Sequence, residues 1–331
     1  MDVDEIRYIP PVTEALLNAS AIGNLVPFVG AGLSRLAGCP SWSGLADAAF
    51  KFFIEDGRFT HAQVALLRDL NPRVKLSIAR GLEEDLKIHI DFKSLLHPTP
   101  SARHQEGRRV YGLLAKLGRT FVTTNYDEWL DREIELPSLD VSPAQADTVQ
   151  DPGKERSVFY KSEHFTAANL GRSDSVFHLH GSLLDPASMI LTTQDYIRHY
   201  ANDRRARPED KENQVLTFLD DLFRSKTVLF LGYSLDELEV LEYVILKSRA
   251  VSASGVEPRH ALLQGFFSHE RELMVSLRRY YRQCGIELLP YLKDRKDWAQ
   301  IIDVLEAYGR VIPARNLSVL QELKDMGDLL P

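Results

Sequence analysis

Four short runs of apolar residues, each stopped by glycine or by a small polar motif, constrain this chain most. They are Asn24-Leu25-Val26-Pro27-Phe28-Val29, Thr120-Phe121-Val122-Thr123, Val176-Phe177-His178-Leu179-His180 and Thr227-Val228-Leu229-Phe230-Leu231. A strand with one wet face alternates apolar and polar residues, whereas a continuous run is buried on both faces. Helical periodicity fills the intervals, as at Leu45, Ala48, Ala49, Phe52 and Phe53. Buried strands alternating with helices imply an α/β fold, a Rossmann-like doubly wound parallel sheet with a helical insertion and C-terminal helices.

The expected organisation is a helical lead-in over 1–24, a Rossmann-like domain over 25–290 with a helical insert at about 43–118, and a helical extension over 291–331. Further short strands are expected near Val158–Tyr160, at Met189–Leu191, at His260–Leu263 and at Ile286–Leu289, and a helix from about Leu235 to Lys247. Residues 202–214 carry dense charge of both signs and read as a solvated helix or loop. A length of 331 residues suits one large domain with insertions or two modest ones.

Composition removes several classes. The formal net charge is −7, which gives no electrostatic reason to coat nucleic acid or an anionic membrane. Cys39 and Cys284 are the two cysteines, too few for a four-thiolate zinc site within one chain. No apolar run approaches the roughly 18 residues of a membrane span, and the first residues lack a signal-peptide pattern. The expectation is a cytoplasmic protein.

The chemistry sits where the strands end, the edge at which open α/β sheets bind ligands. Gly30-Ala31-Gly32 leads from the first strand into a helix. Glycines there let main chain approach a pyrophosphate, and free N–H groups of the first helical turn point at the anion, with Ser34 as a further donor. Arg35 stands where a full dinucleotide fingerprint has its third glycine, so a tight structural turn is the competing reading. After the second strand comes Thr124-Asn125-Tyr126-Asp127, in which Asp127 also reads as a helix N-cap. His178 and His180, two apart on a strand, face one side. They are either metal ligands or one core and one active-site histidine, and His180, next to Gly181, is the functional candidate.

Together these motifs resemble the sirtuin family. The matching residues are Gly30-Ala31-Gly32-Leu33-Ser34 with the Gly38-Cys39-Pro40 turn that follows it, Asn125-Tyr126-Asp127, His180-Gly181 and Gly232-Tyr233-Ser234, four motifs in the family's order and each at a strand end. The chain departs from protein-deacylating members in lacking their four-cysteine zinc ribbon and in carrying Ser41-Trp42-Ser43 where they have Asp-Phe-Arg. In this it is similar to bacterial sirtuin-like NAD hydrolases of anti-phage defence.

The resemblance implies NAD as substrate, no zinc, and cleavage of the nicotinamide–ribose bond. It implies that Asn125 orients water or the ribose hydroxyls, that His180 is the general base, and that Asp127 bonds the nicotinamide amide. Gly30, Ala31, Gly32 and Ser34 would hold the pyrophosphate. Gly232, Ser234 and Asp236 would meet the adenosine half, with Thr124, Tyr233 and Trp42 lining the pocket. Asp236 also reads as a first-turn acid favoured by a helix dipole. A homo-oligomer is implied, with an ATPase/helicase-type or Argonaute-type partner and no direct contact with nucleic acid or membrane. The alternatives are an NAD-dependent protein deacylase, a non-catalytic NAD or ADP-ribose sensor, and a metallohydrolase built on the two histidines.

Overall fold

The computed structural model describes residues 5–97, 102–134, 154–200, 213–233 and 258–312. Its frame is a parallel sheet of seven strands: β1 Leu25–Val29, β2 Thr120–Thr123, β3 Ser157–Phe159, β4 Ser175–His178, β5 Thr227–Leu231, β6 His260–Phe266 and β7 Ile286–Leu292. The spatial order is β3-β4-β2-β1-β5-β6-β7. From β1 the chain adds β2, places β3 at the edge and β4 between them, then returns to add β5, β6 and β7 on the other side of β1. The crevice beside β1 is therefore the topological switch point of a doubly wound fold.

Among the described residues the α-helices are α1 Glu14–Ala21, α2 Ala31–Leu36, α3 Trp42–Ala49, α4 Lys51–Glu55, α5 His61–Ala65, α6 Pro72–Leu86, α7 Phe92–Leu96, α8 Ala102–Leu114, α9 Ala167–Leu170, α10 Thr193–Tyr200, α11 Gln214–Ser225, α12 Arg271–Gln283 and α13 Gln300–Val311. Side chains alternate across each strand, and the strands feed two cores accordingly. Leu25, Val29, Phe121, Leu229 and Leu231 pack with Leu16 of α1, Val110 and Leu114 of α8 and Leu305 and Tyr308 of α13. Val26, Phe28, Val122, Phe177 and Phe230 pack with Phe218 and Leu222 of α11 and Met274 of α12. Fully burying such a side chain contributes about 1.5–3 kcal/mol. Helix α11 illustrates the pattern: Val215, Phe218, Leu219 and Leu222 form one buried stripe, and Asn213 caps the first turn by accepting from the amides of Val215 and Leu216.

A third core lies beyond the sheet. Leu45, Phe50, Phe53, Leu76 and Phe92 from α3 to α7 pack with Tyr126, Leu183 and Leu191 from the segments that follow β2 and β4. The helical insert thus rests on the carboxyl edge of the strands.

Several details differ from the sequence reading. β4 ends at His178 rather than His180, and β6 and β7 each run three residues further than expected. Met189–Leu191 is not a strand; Ile190 instead gives its N–H to the His180 carbonyl. Pro27 sits inside the central strand β1, where a missing donor is normally excluded. Here the pairing of β1 with β2 begins only at Phe28, and Gly118, lacking Cβ, leaves room for the proline ring. The expected helix at 235–247 lies outside the described residues. No helix among the described residues is long and apolar enough to cross a membrane.

Candidate functional site

The turns that end β1 and β5 are locked together by glycine. Gly32 donates its N–H to the Gly232 carbonyl at 2.8 Å, and Gly30 donates to Leu231 at 2.9 Å. A Cβ on Gly32 would stand 2.8 Å from the Gly232 oxygen, and one on Gly232 would stand 2.6 Å from the Leu33 nitrogen. Gly232 also has φ +62°, where L side chains are strained. The close approach that these glycines permit is therefore between two main chains. The amides of Gly30, Gly32 and Leu33 are engaged within the protein, so these three are not free to face an anion as the sequence reading expects.

Ser34, on α2, is the hub of a buried network. Its hydroxyl donates to Asp127 Oδ2 at 2.6 Å, accepts from Asn125 Nδ2 at 2.7 Å, and lies 3.0 Å from the Tyr111 hydroxyl. Asn125 Nδ2 also donates to the Gly30 carbonyl at 3.1 Å. The Asn125 main chain is held at both ends, its N–H by Thr123 Oγ1 and its carbonyl by His178. Asp127 caps no helix. Its Oδ1 accepts the Trp129 N–H in a local turn. Burial pushes the Asp127 carboxyl above its ordinary range, against the Ser34 bond, the His178 ring, the Trp129 amide and His97, which lower it.

His180 emerges beside this network, because β4 is the parallel neighbour of β2 and Thr123 pairs with His178. Its ring is buried and both nitrogens meet phenols: Nε2 lies 2.7 Å from the Tyr200 hydroxyl, and Nδ1 lies 3.3 Å from that of Tyr196. Arg73, from α6, covers the Tyr196 ring at 3.8 Å. Burial, then His199, then Arg73 depress the His180 pKa well below 6.5. The imidazole is thus neutral at pH 7, and a weaker base than an ordinary histidine. Gly181 has φ +85°, and a Cβ there would lie 2.2 Å from the Ser188 carbonyl oxygen, so the turn that seats His180 requires glycine.

The two histidines do not share surroundings. His178, fully buried, bonds Asn125 and Asp131, while His180 lies past the strand end among the aromatic side chains of α10. The reading of two rings facing one side is corrected for that reason. Among the described residues no three His, Cys, Asp or Glu side chains are grouped to hold a metal.

Of the remaining residues, Thr124 is buried between β1 and the network, its N–H 3.4 Å from the Val29 carbonyl. Trp42 stacks on Tyr126 with ring centroids 5.9 Å apart. Tyr233 is buried edge-on against Phe28 at 5.5 Å. Ala31 opens α2. Ser234 and Asp236 lie outside the described residues. The structure thus joins Gly30, Gly32, Ser34, Asn125, Asp127 and Gly232 in one bonded cluster, with His180 on the adjacent strand end. Sequence reasoning missed Tyr111, Asp131, Tyr196, Tyr200 and Arg73. A tyrosine pair at i and i+4 in α10 was the only signal for two of them.

Two surface clefts, of about 360 and 270 Å³, lie elsewhere. One is lined by Arg109, Lys296 and Asp303, the other by Arg7, Pro10 and Tyr308. Neither carries a residue of the cluster. At the sheet edge Ser34, Asn125, Asp127 and Tyr111 bond one another.

A sequence profile of the family described as SIR2-like domain matches residues 119–289, from the start of β2 into β7 and a little over half of the chain. A search of curated proteins returns no match.

Proposed function

Because this chain belongs to the SIR2-like family, whose domain binds NAD and supports NAD-dependent catalysis, we propose that it cleaves the nicotinamide–ribose bond of NAD and passes the ADP-ribosyl group to water. Breaking that bond builds positive charge on the anomeric carbon while neutral nicotinamide departs. The protein must hold both halves of the dinucleotide and set a nucleophile at the exposed carbon.

The observation that carries the reading is the convergence of Asn125 and His180 on neighbouring strand ends, with Asn125 bonded to Ser34 and Gly30. In this reading Asn125 orients the water or the ribose hydroxyls, and neutral His180 takes the proton from the water. Asp127 receives the nicotinamide amide. Gly30, Ala31, Gly32 and Ser34 hold the pyrophosphate, Gly232 meets the adenosine half, and Thr124, Tyr233 and Trp42 wall the pocket. Since these groups are bonded to one another or to α10, NAD must exchange internal bonds for its own as it binds. The closed arrangement is the off state of an enzyme whose unrestrained action would drain a cell of NAD. On the resemblance stated above, we place that action in anti-phage defence, released by self-assembly or by an ATPase or Argonaute partner.

Family membership alone favours the broader statement, in which an acyl-lysine is as good an acceptor as water. Two features support water: two cysteines cannot build the zinc ribbon that frames the peptide groove of deacylases, and the cluster is enclosed.

The test is incubation with NAD, alone and with an acetyl-lysine peptide, followed by chromatography. Nicotinamide and free ADP-ribose in equal amounts are expected. O-acetyl-ADP-ribose would establish the deacylase reading, and binding by calorimetry without nicotinamide release the sensor reading. His180→Ala and Asn125→Ala should each slow release by ~10²–10⁴, the usual effect of removing a positioned acid/base group.

A further inference from the structure

His178 ends β4 opposite Thr123 of β2 and is fully buried. Its Nδ1 lies 2.8 Å from the main-chain carbonyl of Asn125, and its Nε2 lies 2.8 Å from Asp131 Oδ1. A carbonyl only accepts, so Nδ1 must carry a hydrogen. Nε2 and Asp131 then share the remaining proton. Asp131 thereby selects the ring form that Asn125 requires, as carboxylates orient histidines elsewhere in protein chemistry.

We propose that His178, clamped by Asp131, is a positioning residue that fixes the main chain of Asn125 and so the direction in which the Asn125 amide projects. The proposal rests on the NAD-cleaving role given to Asn125 above and assigns its support. Thr123 Oγ1 takes the Asn125 N–H and His178 takes the carbonyl, so the peptide units on both sides are held. The amide then points at Gly30 and Ser34.

Asp131 is itself anchored. Its carbonyl accepts from the Arg156 amide at 2.9 Å, while the Arg156 guanidinium bonds the carbonyls of Leu130 and Arg132 and lies over the Phe121 ring. Burial works against a charged His178, but the Asp131 bond and charge, the Asn125 carbonyl and the charge of Asp127 outweigh it and raise its pKa.

The experiment has two arms on the full chain. In the first, His178→Gln and Asp131→Asn are assayed for nicotinamide release, with circular dichroism as the check on folding. The expected result is a kcat lowered roughly tenfold to hundredfold, as for a misplaced reacting group, with KM nearly unchanged and a larger effect for His178→Gln. Wild-type kcat in a folded His178→Gln protein would overturn the proposal.

The second arm does not depend on turnover. Nitrogen NMR of labelled histidine should show His178 Nδ1 protonated from pH 5.5 to 8.5, as the two 2.8 Å contacts require. The Asn125 side-chain amide should be protected from exchange in the wild type and exposed in Asp131→Asn. A bare Nδ1, or equal protection in both proteins, would overturn the proposal even if neither variant bears on catalysis. A wild type that releases no nicotinamide would instead remove the proposed function and leave this second arm to decide.

Discussion

The Tyr200 hydroxyl lies 2.7 Å from His180 Nε2, so the candidate base is bonded to a neighbouring helix rather than facing open space. Tyr200→Phe removes that bond and keeps the ring. A hydrogen bond of about 0.5–1.5 kcal/mol corresponds to a nicotinamide release rate raised roughly two- to tenfold. Steady-state assays of the two proteins check this. A slower variant would mean that Tyr200 works with His180 instead of restraining it.

Ser34 satisfies three buried groups at once: Asn125, Asp127 and Tyr111. Ser34→Ala deprives all three of a partner. Stability should fall by about 1–3 kcal/mol, the usual effect of leaving a buried polar group unsatisfied. Urea unfolding measures that loss, and calorimetric titration should show weaker NAD binding. An unchanged urea midpoint would mean that the network rearranges around the lost hydroxyl.

Gly232 and Gly57 both have positive φ, but only Gly232 faces main chain, whereas a Cβ on Gly57 meets nothing within 4 Å. The two separate strain from contact. Gly57→Ala should lose roughly 1–2 kcal/mol from backbone strain, and Gly232→Ala should lose clearly more, because Leu33 must also move. Equal losses in denaturant titrations would show that the β1 and β5 turns are less tightly joined than described.

His260 opens β6, and its Nδ1 accepts the Val228 N–H at 3.2 Å, a bond that protonation of that nitrogen destroys. Burial first, then Arg259, depress its pKa to about 4. A depressed histidine adds stability above its unfolded value near 6.5 and loses it as pH falls toward 4. Unfolding free energy should drop by up to roughly 3 kcal/mol over that window from this group alone. His260→Gln should flatten the profile. His180 and His199, depressed in the same direction, would leave a residual slope. Parallel pH profiles for the two proteins would exclude the assignment.

The strands were legible because burial on both faces leaves a plain mark. Val228 to Leu231 and Phe121 to Val122 have no polar residue to hide the run, and glycine or threonine ends it. The site was legible as positions at strand ends but not as contacts. Nothing near Ser34 in the chain announces Asp127, 93 residues away, and the α10 tyrosines lie beyond a turn that reads equally well as a strand at Met189–Leu191. Paired histidines two apart suggested a shared face. The suggestion failed because β4 stops at the first of them, and the period of two holds only while the strand lasts.

Asn24 and Lys226, 202 residues apart, join where β1 meets β5. During synthesis at 5–20 residues per second, β1 therefore waits on the order of ten to forty seconds for that neighbour. β2, made earlier, pairs only Phe28 and Val29, so the edge of β1 that β5 will cover stays open through this interval, a situation in which nascent chains aggregate. Pro27, awkward in a finished central strand, is well placed for that wait: a missing N–H at the middle of the segment blocks the wrong pairings.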